Sequence, residues 1–77
     1  MDTRIKEDVR CTLINLADKL ERLVLAKGHR EFCPDLKFRG DTWAIMTAQA
    51  YWPEMLDEFL AGWEVKLEGA CFCLIVK

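Results

Sequence analysis

The chain has 77 residues, of which 52% are hydrophobic and 31% are charged, with a formal net charge of −2. This composition is typical of a globular protein and excludes disorder as the default state. The length predicts a single domain over residues 1–77. Residues 1–30 carry seven basic and five acidic side chains, whereas residues 31–77 carry four and eight. Neither part has the basic stripe of a nucleic-acid-binding surface, so the sequence argues against a nucleic-acid partner.

The sequence predicts no membrane association. No apolar run approaches the roughly 20 residues of a membrane-spanning helix. The charged stretch MDTRIKEDVR at the start lacks the apolar segment of a signal peptide. We therefore expect a cytoplasmic protein, and in that compartment the four cysteines are expected to be thiols.

The longest periodic segment spans residues 3–27 and predicts a helix. Asp2 or Thr3 can cap its start, and Gly28 can end it at the C′ position. Its apolar residues recur every three or four positions, which is the pattern of one buried helical face. They are Ile5, Val9, Leu13, Leu16, Leu20, Leu23 and Val24.

A second stripe on this helix consists of Cys11, Ile14 and Leu25, with Asp18 between them. At 100° per residue it lies nearly opposite the buried face. One interpretation is that these are scattered surface apolar residues, which are normal in soluble proteins. The other is a docking face for a helix or a subunit, and the stripe is therefore a candidate partner-binding site.

Residues 29–35 are expected to be a connector, followed by a first β-hairpin over residues 36–47. Gly40-Asp41 suits a two-residue turn. That register would pair Phe38 with Trp43, and such an aromatic pair favours it over a slipped one. The competing interpretation is a helix over residues 42–51, capped by Asp41.

A second helix is predicted from Trp52 to Gly62. Pro53 fits its first position, and acidic residues in its first turns suit the helix dipole. Gly62 is expected to end it. The predicted buried side consists of Met55, Leu56, Phe59 and Leu60, together with Trp52 or Trp63.

Residues 63–77 predict a second β-hairpin with a turn at Glu68-Gly69. This turn would place Val65 opposite Phe72 and Trp63 opposite Leu74. Because side chains alternate along a strand, one face of the hairpin is apolar and the other is mixed. The resulting element order is α-β-β-α-β-β. The predicted fold class is α+β, a two-layer sandwich of a four-stranded antiparallel sheet with two helices on one face.

The mixed face of this predicted sheet is the second candidate partner-binding site. It is too apolar for a purely solvated face, and apolar patches rimmed by charge often mark protein interfaces. The alternative is a solvated face with a few apolar positions. The candidate residues are Met46, Ala44, Cys71, Cys73, Ile75, Lys37, Arg39 and Lys66.

A metal site is a weak candidate, and no metal is favoured. His29, Cys33, Cys71 and Cys73 form a possible Cys₃His set for zinc. However, cysteines at i and i+2 on a regular strand lie roughly 7 Å apart, which is too far for one tetrahedral ion. A disulfide of Cys71 with Cys33 or Cys11 is a further alternative to free thiols.

The sequence favours a protein without enzymatic activity and without a cofactor. It has one histidine and no serine. A His29–Cys33 dyad would have no orienting carboxylate beyond Glu31 or Asp35 and no glycine-rich loop for an oxyanion site. We expect a small regulatory protein that occupies a surface on a partner protein, or on a second copy as a homodimer. Inhibitors of the phage-encoded or antitoxin-like kind are examples of this class. The alternative is a small zinc- or redox-linked module that uses the Cys₃His set.

Overall fold

A computed structural model of the chain describes residues 3–33, 39–68 and 71–77. These residues form three helices and three strands of a mixed α+β protein. In chain order the elements are α1 (Thr3–Lys27), β1 (Glu31–Phe32), α2 (Arg39–Tyr51), α3 (Pro53–Phe59), β2 (Trp63–Glu68) and β3 (Cys71–Val76).

The strands form one antiparallel sheet in the order β1-β3-β2, so β3 is the central strand. Phe72 and Leu74 of β3 are buried, whereas Cys71 is exposed. This alternation gives the sheet an inner and an outer face. The inner face contacts one core cluster to which all three helices contribute, so the helices cover that face.

The span predicted for α1 is confirmed. The helix buries Val9, Leu13, Leu16 and Leu20. Val24, expected on the buried face of α1, is 37% exposed. Gly28 follows the helix with φ at 67°, and its amide donates to the Val24 carbonyl at 3.0 Å. This is the αL type of helix C-cap, which glycine adopts without a steric cost.

The predicted four-stranded sheet with two helices is wrong. The segment expected to form the second strand of a hairpin, residues 42–47, lies inside α2. Ala44, Ile45 and Ala48 are buried on one side of this helix, and their spacing fits a helical period rather than a strand. Phe38, expected to pair with Trp43, lies outside the described residues. The competing interpretation of a helix over residues 42–51 is confirmed, but α2 begins at Arg39, so Asp41 lies in its first turn and is not its N-cap residue.

The C-terminal hairpin is confirmed, but its predicted register is wrong by two residues. Val65 is opposite Leu74, and Glu68 is opposite Cys71. Glu68 therefore belongs to the strand and not to the turn, while Gly69 lies outside the described residues. A shift of two residues keeps every side chain on its predicted face, which is why the inner and outer faces were predicted correctly.

The predicted second helix corresponds to α3, with Trp52 at the N-cap and Pro53 at the first position. It ends earlier than expected, with Leu60 as the C-cap residue. Met55 and Leu60 are buried in the core. The predicted connector after α1 also contains β1, whose two residues pair with β3.

Candidate functional site

The structure does not bring the predicted sheet-face residues together. Ala44 is fully buried inside α2, and Met46 lies on the outer side of the same helix with 46% of its surface exposed. Arg39 is the first residue of α2, and Lys37 lies outside the described residues. Of the described candidates, only the β-strand members share the outer sheet face; they are Lys66, Cys71, Cys73 and Ile75.

A different apolar surface lies on α2, and the sequence analysis missed it. Trp43, Met46 and Ala50 are spaced by three and four residues and are exposed, opposite the buried side of the helix. We call these three residues the α2 outer face. Trp43 is 44% exposed. The spacing was visible in the sequence, but the hairpin interpretation placed Trp43 on an inner sheet face.

The α1 stripe is solvent-exposed as its helical position predicts. Cys11 is exposed, and Ile14 and Leu25 are 45% and 78% exposed. Between them, Arg22 Nη2 lies 2.7 Å from Asp18 Oδ2 in an ion pair across one helical turn. The stripe is therefore interrupted by charge, whereas the α2 outer face has an aromatic and a methionine side chain one turn apart.

Cys33 and Cys73 form a disulfide between the end of β1 and β3. The β1–β3 register pairs Glu31 with Ile75, which puts Cys33 directly opposite Cys73. The Val76 amide donates to the Arg30 carbonyl, so the alternating ladder makes Cys33–Cys73 a non-hydrogen-bonded pair. Such pairs have the shortest Cα separation in an antiparallel sheet, and here it is 4.3 Å.

A carboxylate lies beside this disulfide. Glu31 Oε1 is 3.2 Å from Cys33 Sγ. A disulfide sulfur carries no proton, so this contact is not a hydrogen bond in the oxidised protein, although a reduced Cys33 thiol can donate there. Cys71, two residues from Cys73 on the outer face, is an exposed free thiol. The disulfide therefore differs from the predicted alternatives, which paired Cys71 with Cys33 or Cys11.

The weak zinc candidate is not assembled. Cys33 and Cys73 are bonded to each other, and His29 is exposed. Within residues 3–33, 39–68 and 71–77, no three His, Cys, Asp or Glu side chains are grouped to hold a metal ion. In the same described residues, no helix is long and apolar enough to span a lipid bilayer.

A groove of about 330 Å³ runs between α3 and the first half of β2. Apolar side chains from both elements line much of it, and the charged residues Asp57, Glu64 and Lys77 also line it. The apolar lining of the groove includes Leu56, Leu60, Trp63 and Val65. Trp63 and Val65 are only half-buried, so the groove leaves apolar surface in contact with water.

No protein-family model, curated protein or solved structure matches the chain.

Proposed function

We propose that this is a small non-enzymatic regulatory protein that binds a partner protein by covering part of the partner's surface. The observation that carries the proposal is the α2 outer face. Trp43 and Met46 lie one helical turn apart and expose nearly half of their surfaces. Removing that apolar surface from water is favourable by roughly 25 cal/mol per Å², a gain from which the entropic cost of association is subtracted.

The residue types support a protein partner. Tryptophan and methionine are enriched in protein interfaces, and tryptophan is among the residues that contribute most to binding. The helix that presents them is firmly held, because Ala44, Ile45 and Ala48 on its other side are fully buried. A rigid helix loses little conformational entropy on binding. This is the geometry of an anchor face for a groove on the partner.

We place this activity in the cytoplasm, where the partner is a regulated protein and the complex inhibits it. The α1 stripe is a second contact region in the same proposal. Ile14 and Leu25 are separated by three helical turns with the Asp18–Arg22 ion pair between them. That arrangement suits the polar rim of an interface better than its centre.

Site-specific photocross-linking in the native cell tests the proposal. A photoreactive amino acid replaces Met46 in one variant and the exposed α3 residue Glu58 in a control variant. We expect Met46 to cross-link to one defined protein, and we expect no such product from position 58. That protein is then purified, and its affinity is measured by calorimetry for the wild type and for Trp43→Ala.

We expect Trp43→Ala to lower the affinity for the partner by about tenfold or more. The thermal midpoint of the free protein should not change. Val24→Ala serves as the matched control, because it removes a comparably exposed apolar side chain of α1 that belongs to neither contact region. The proposal fails if positions 46 and 58 capture the same set of proteins, or if Trp43→Ala binds as tightly as the wild type.

A redox-linked module is the second candidate function, and the Cys33–Cys73 disulfide favours it. In a reducing compartment such a bond forms only transiently. The oxidant would be a small-molecule disulfide, which accepts two electrons from the thiols of Cys33 and Cys73. It leaves as two small thiols, and the bond between Cys33 and Cys73 forms. The test is alkylation of acid-quenched cells, followed by mass spectrometry. Cys33 and Cys73 should both be alkylated before the cells are treated with oxidant, and both should escape alkylation afterwards because they are joined in the disulfide. Identical alkylation in both samples would exclude a redox role.

A further inference from the structure

Among the described residues, the strand β2 forms one edge of the sheet. The order β1-β3-β2 places β3 on one side of it, and no strand in the described part of the chain lies on the other. β1, at the opposite edge, has only two residues, whereas β2 has six. A six-residue edge with a regular backbone is a template for pairing with another strand.

The hydrogen-bond pattern shows which residues point their backbone groups outward. The Lys77 amide donates to the Gly62 carbonyl at 3.0 Å, so Gly62 and the even-numbered residues of β2 face β3. The odd-numbered residues Val65 and Leu67 therefore direct their N–H and C=O groups toward the open edge. The third odd residue, Trp63, donates its amide to the Leu60 carbonyl at 3.0 Å.

We propose that β2 pairs with β2 of a second copy of this chain, antiparallel, around a twofold axis at Val65. An axis perpendicular to the sheet keeps the helices of both subunits on the same face, and it requires one residue of β2 to lie opposite its own copy. With Val65 at the axis, the two Val65 residues exchange backbone hydrogen bonds. The Leu67 amide then donates to the carbonyl of Trp63 of the partner subunit.

The charged side chains of β2 favour this register over the adjacent registers. With Val65 at the axis, Glu64 lies opposite Lys66 of the partner subunit, and the symmetry repeats this opposite-charge pair. If the axis passed through Lys66 or Glu64, identical charges would face each other at the centre. Opposite charges across an antiparallel pair stabilise it, and like charges destabilise it. Both side chains are exposed on the outer sheet face, and their β3 partners are the uncharged Cys73 and Ile75.

The inner face of the same pairing covers the groove. Trp63 would lie opposite Leu67 of the partner subunit, next to the two Val65 side chains. All three residues are half-buried in the single chain. Because Trp63 and Val65 line the groove beside α3, the partner's Leu67 would cover its apolar surface. One register thus pairs every outward backbone group of β2 except the Leu67 carbonyl, because the Trp63 amide already donates to Leu60. The same register matches the charges and covers the apolar side chains.

This dimer uses the β2 edge and not the α2 outer face, so it does not depend on the proposed function. Native mass spectrometry and sedimentation equilibrium of the full chain test it. We expect a dimer for the wild type at about 100 µM. Lys66→Glu and Glu64→Lys each place like charges opposite each other twice, and each should weaken dimerisation by roughly tenfold or more.

Two combinations make the test specific to the register. The double variant Glu64→Lys/Lys66→Glu restores opposite charges at both positions, so it should dimerise like the wild type. A mixture of the two single variants should form a heterodimer, in which one chain supplies two acidic and the other two basic side chains. Glu58→Lys, a charge reversal on α3, is the control and should dimerise normally.

Far-UV circular dichroism of each single variant checks that it is folded. The double variant carries both substitutions, so its dimerisation shows that neither prevents folding. A wild-type chain that remains monomeric at 100 µM overturns the proposal. So does a dimer whose dissociation constant is unchanged by both single charge reversals, because that dimer would use another surface.

Discussion

Cys33 lies directly opposite Cys73 at a non-hydrogen-bonded position, with 4.3 Å between their Cα atoms. The bond links the two-residue strand β1 to the central strand of the sheet. So short a strand makes few ladder hydrogen bonds of its own. Its attachment therefore depends on this covalent link and on Phe32, whose ring lies 6.3 Å from that of the buried Phe72.

Reduction of the disulfide is expected to lower the free energy of unfolding by about 2–4 kcal/mol, as is typical for loops of this size. The cysteines are separated by 40 positions in the sequence, so the bond restricts a large part of the unfolded chain. The measurement is the urea midpoint with and without a dithiol reductant.

Two variants make the reduction experiment specific. In Cys33→Ser/Cys73→Ser the reductant should have no effect, and the midpoint should equal that of the reduced wild type. Cys71→Ser, which removes an exposed free thiol, should keep the full effect. If it does not, Cys71 and not Cys73 is the partner of Cys33 in solution.

The parts of the fold predicted correctly are those whose signal is local. The limits of α1 follow from a long helical period and from Gly28 behind it. The inner and outer faces of the C-terminal hairpin follow from alternation. The exposure of the α1 stripe also follows from helical geometry alone, and Ile14 and Leu25 are exposed as expected.

The errors come from choices that depend on distant parts of the chain. Gly40-Asp41 resembles a turn, yet Asp41 lies in the first turn of α2 and its Oδ2 is 3.5 Å from Lys19 Nζ of α1. The contacts between α2 and α1 join residues that are distant in the sequence, so a local sequence pattern does not predict them. β1 likewise has two residues with no periodic signal, so neither its pairing nor the Cys33–Cys73 bond could be predicted.

Phe72→Ala should destabilise the protein by roughly 3–5 kcal/mol, because this ring is 1% exposed in the centre of the core. Leu20→Ala on α1 should cost roughly 2–5 kcal/mol for the same reason. Leu25→Ala, at a position 78% exposed on the same helix, is the control and should change stability by less than about 0.5 kcal/mol. Chemical denaturation measures all three. A Phe72→Ala midpoint near the wild-type value would contradict the inner face assigned to β3.

The Lys19–Asp41 pair should contribute little to stability. The two side chains are 41% and 17% exposed at a distance of 3.5 Å, and such partly solvated pairs contribute about 0–1 kcal/mol. Lys19 Nζ also lies 5.5 Å from the centre of the Phe32 ring. Lys19→Met should therefore lower the stability of the protein more than Asp41→Asn does, because it removes both of these contacts. A double-mutant cycle isolates the ion pair, and a coupling energy well above 1 kcal/mol would show that it is more shielded from solvent than its exposure indicates.

Two glycines should respond to alanine with opposite signs. Gly28 has φ at +67° with open space around it, so Gly28→Ala adds only backbone strain and should cost about 1–2 kcal/mol. Gly40, inside α2, also has no neighbour within 4 Å of an added Cβ. Gly40→Ala should stabilise the protein by roughly 0.4–1 kcal/mol, because alanine favours the helix and restricts the unfolded chain.

The stability of Gly28→Asn should lie between those of the wild type and Gly28→Ala, since asparagine tolerates positive φ. Thermal unfolding of the three variants checks the order. If Gly40→Ala were the more destabilised variant, residue 40 would be in a turn and not in α2.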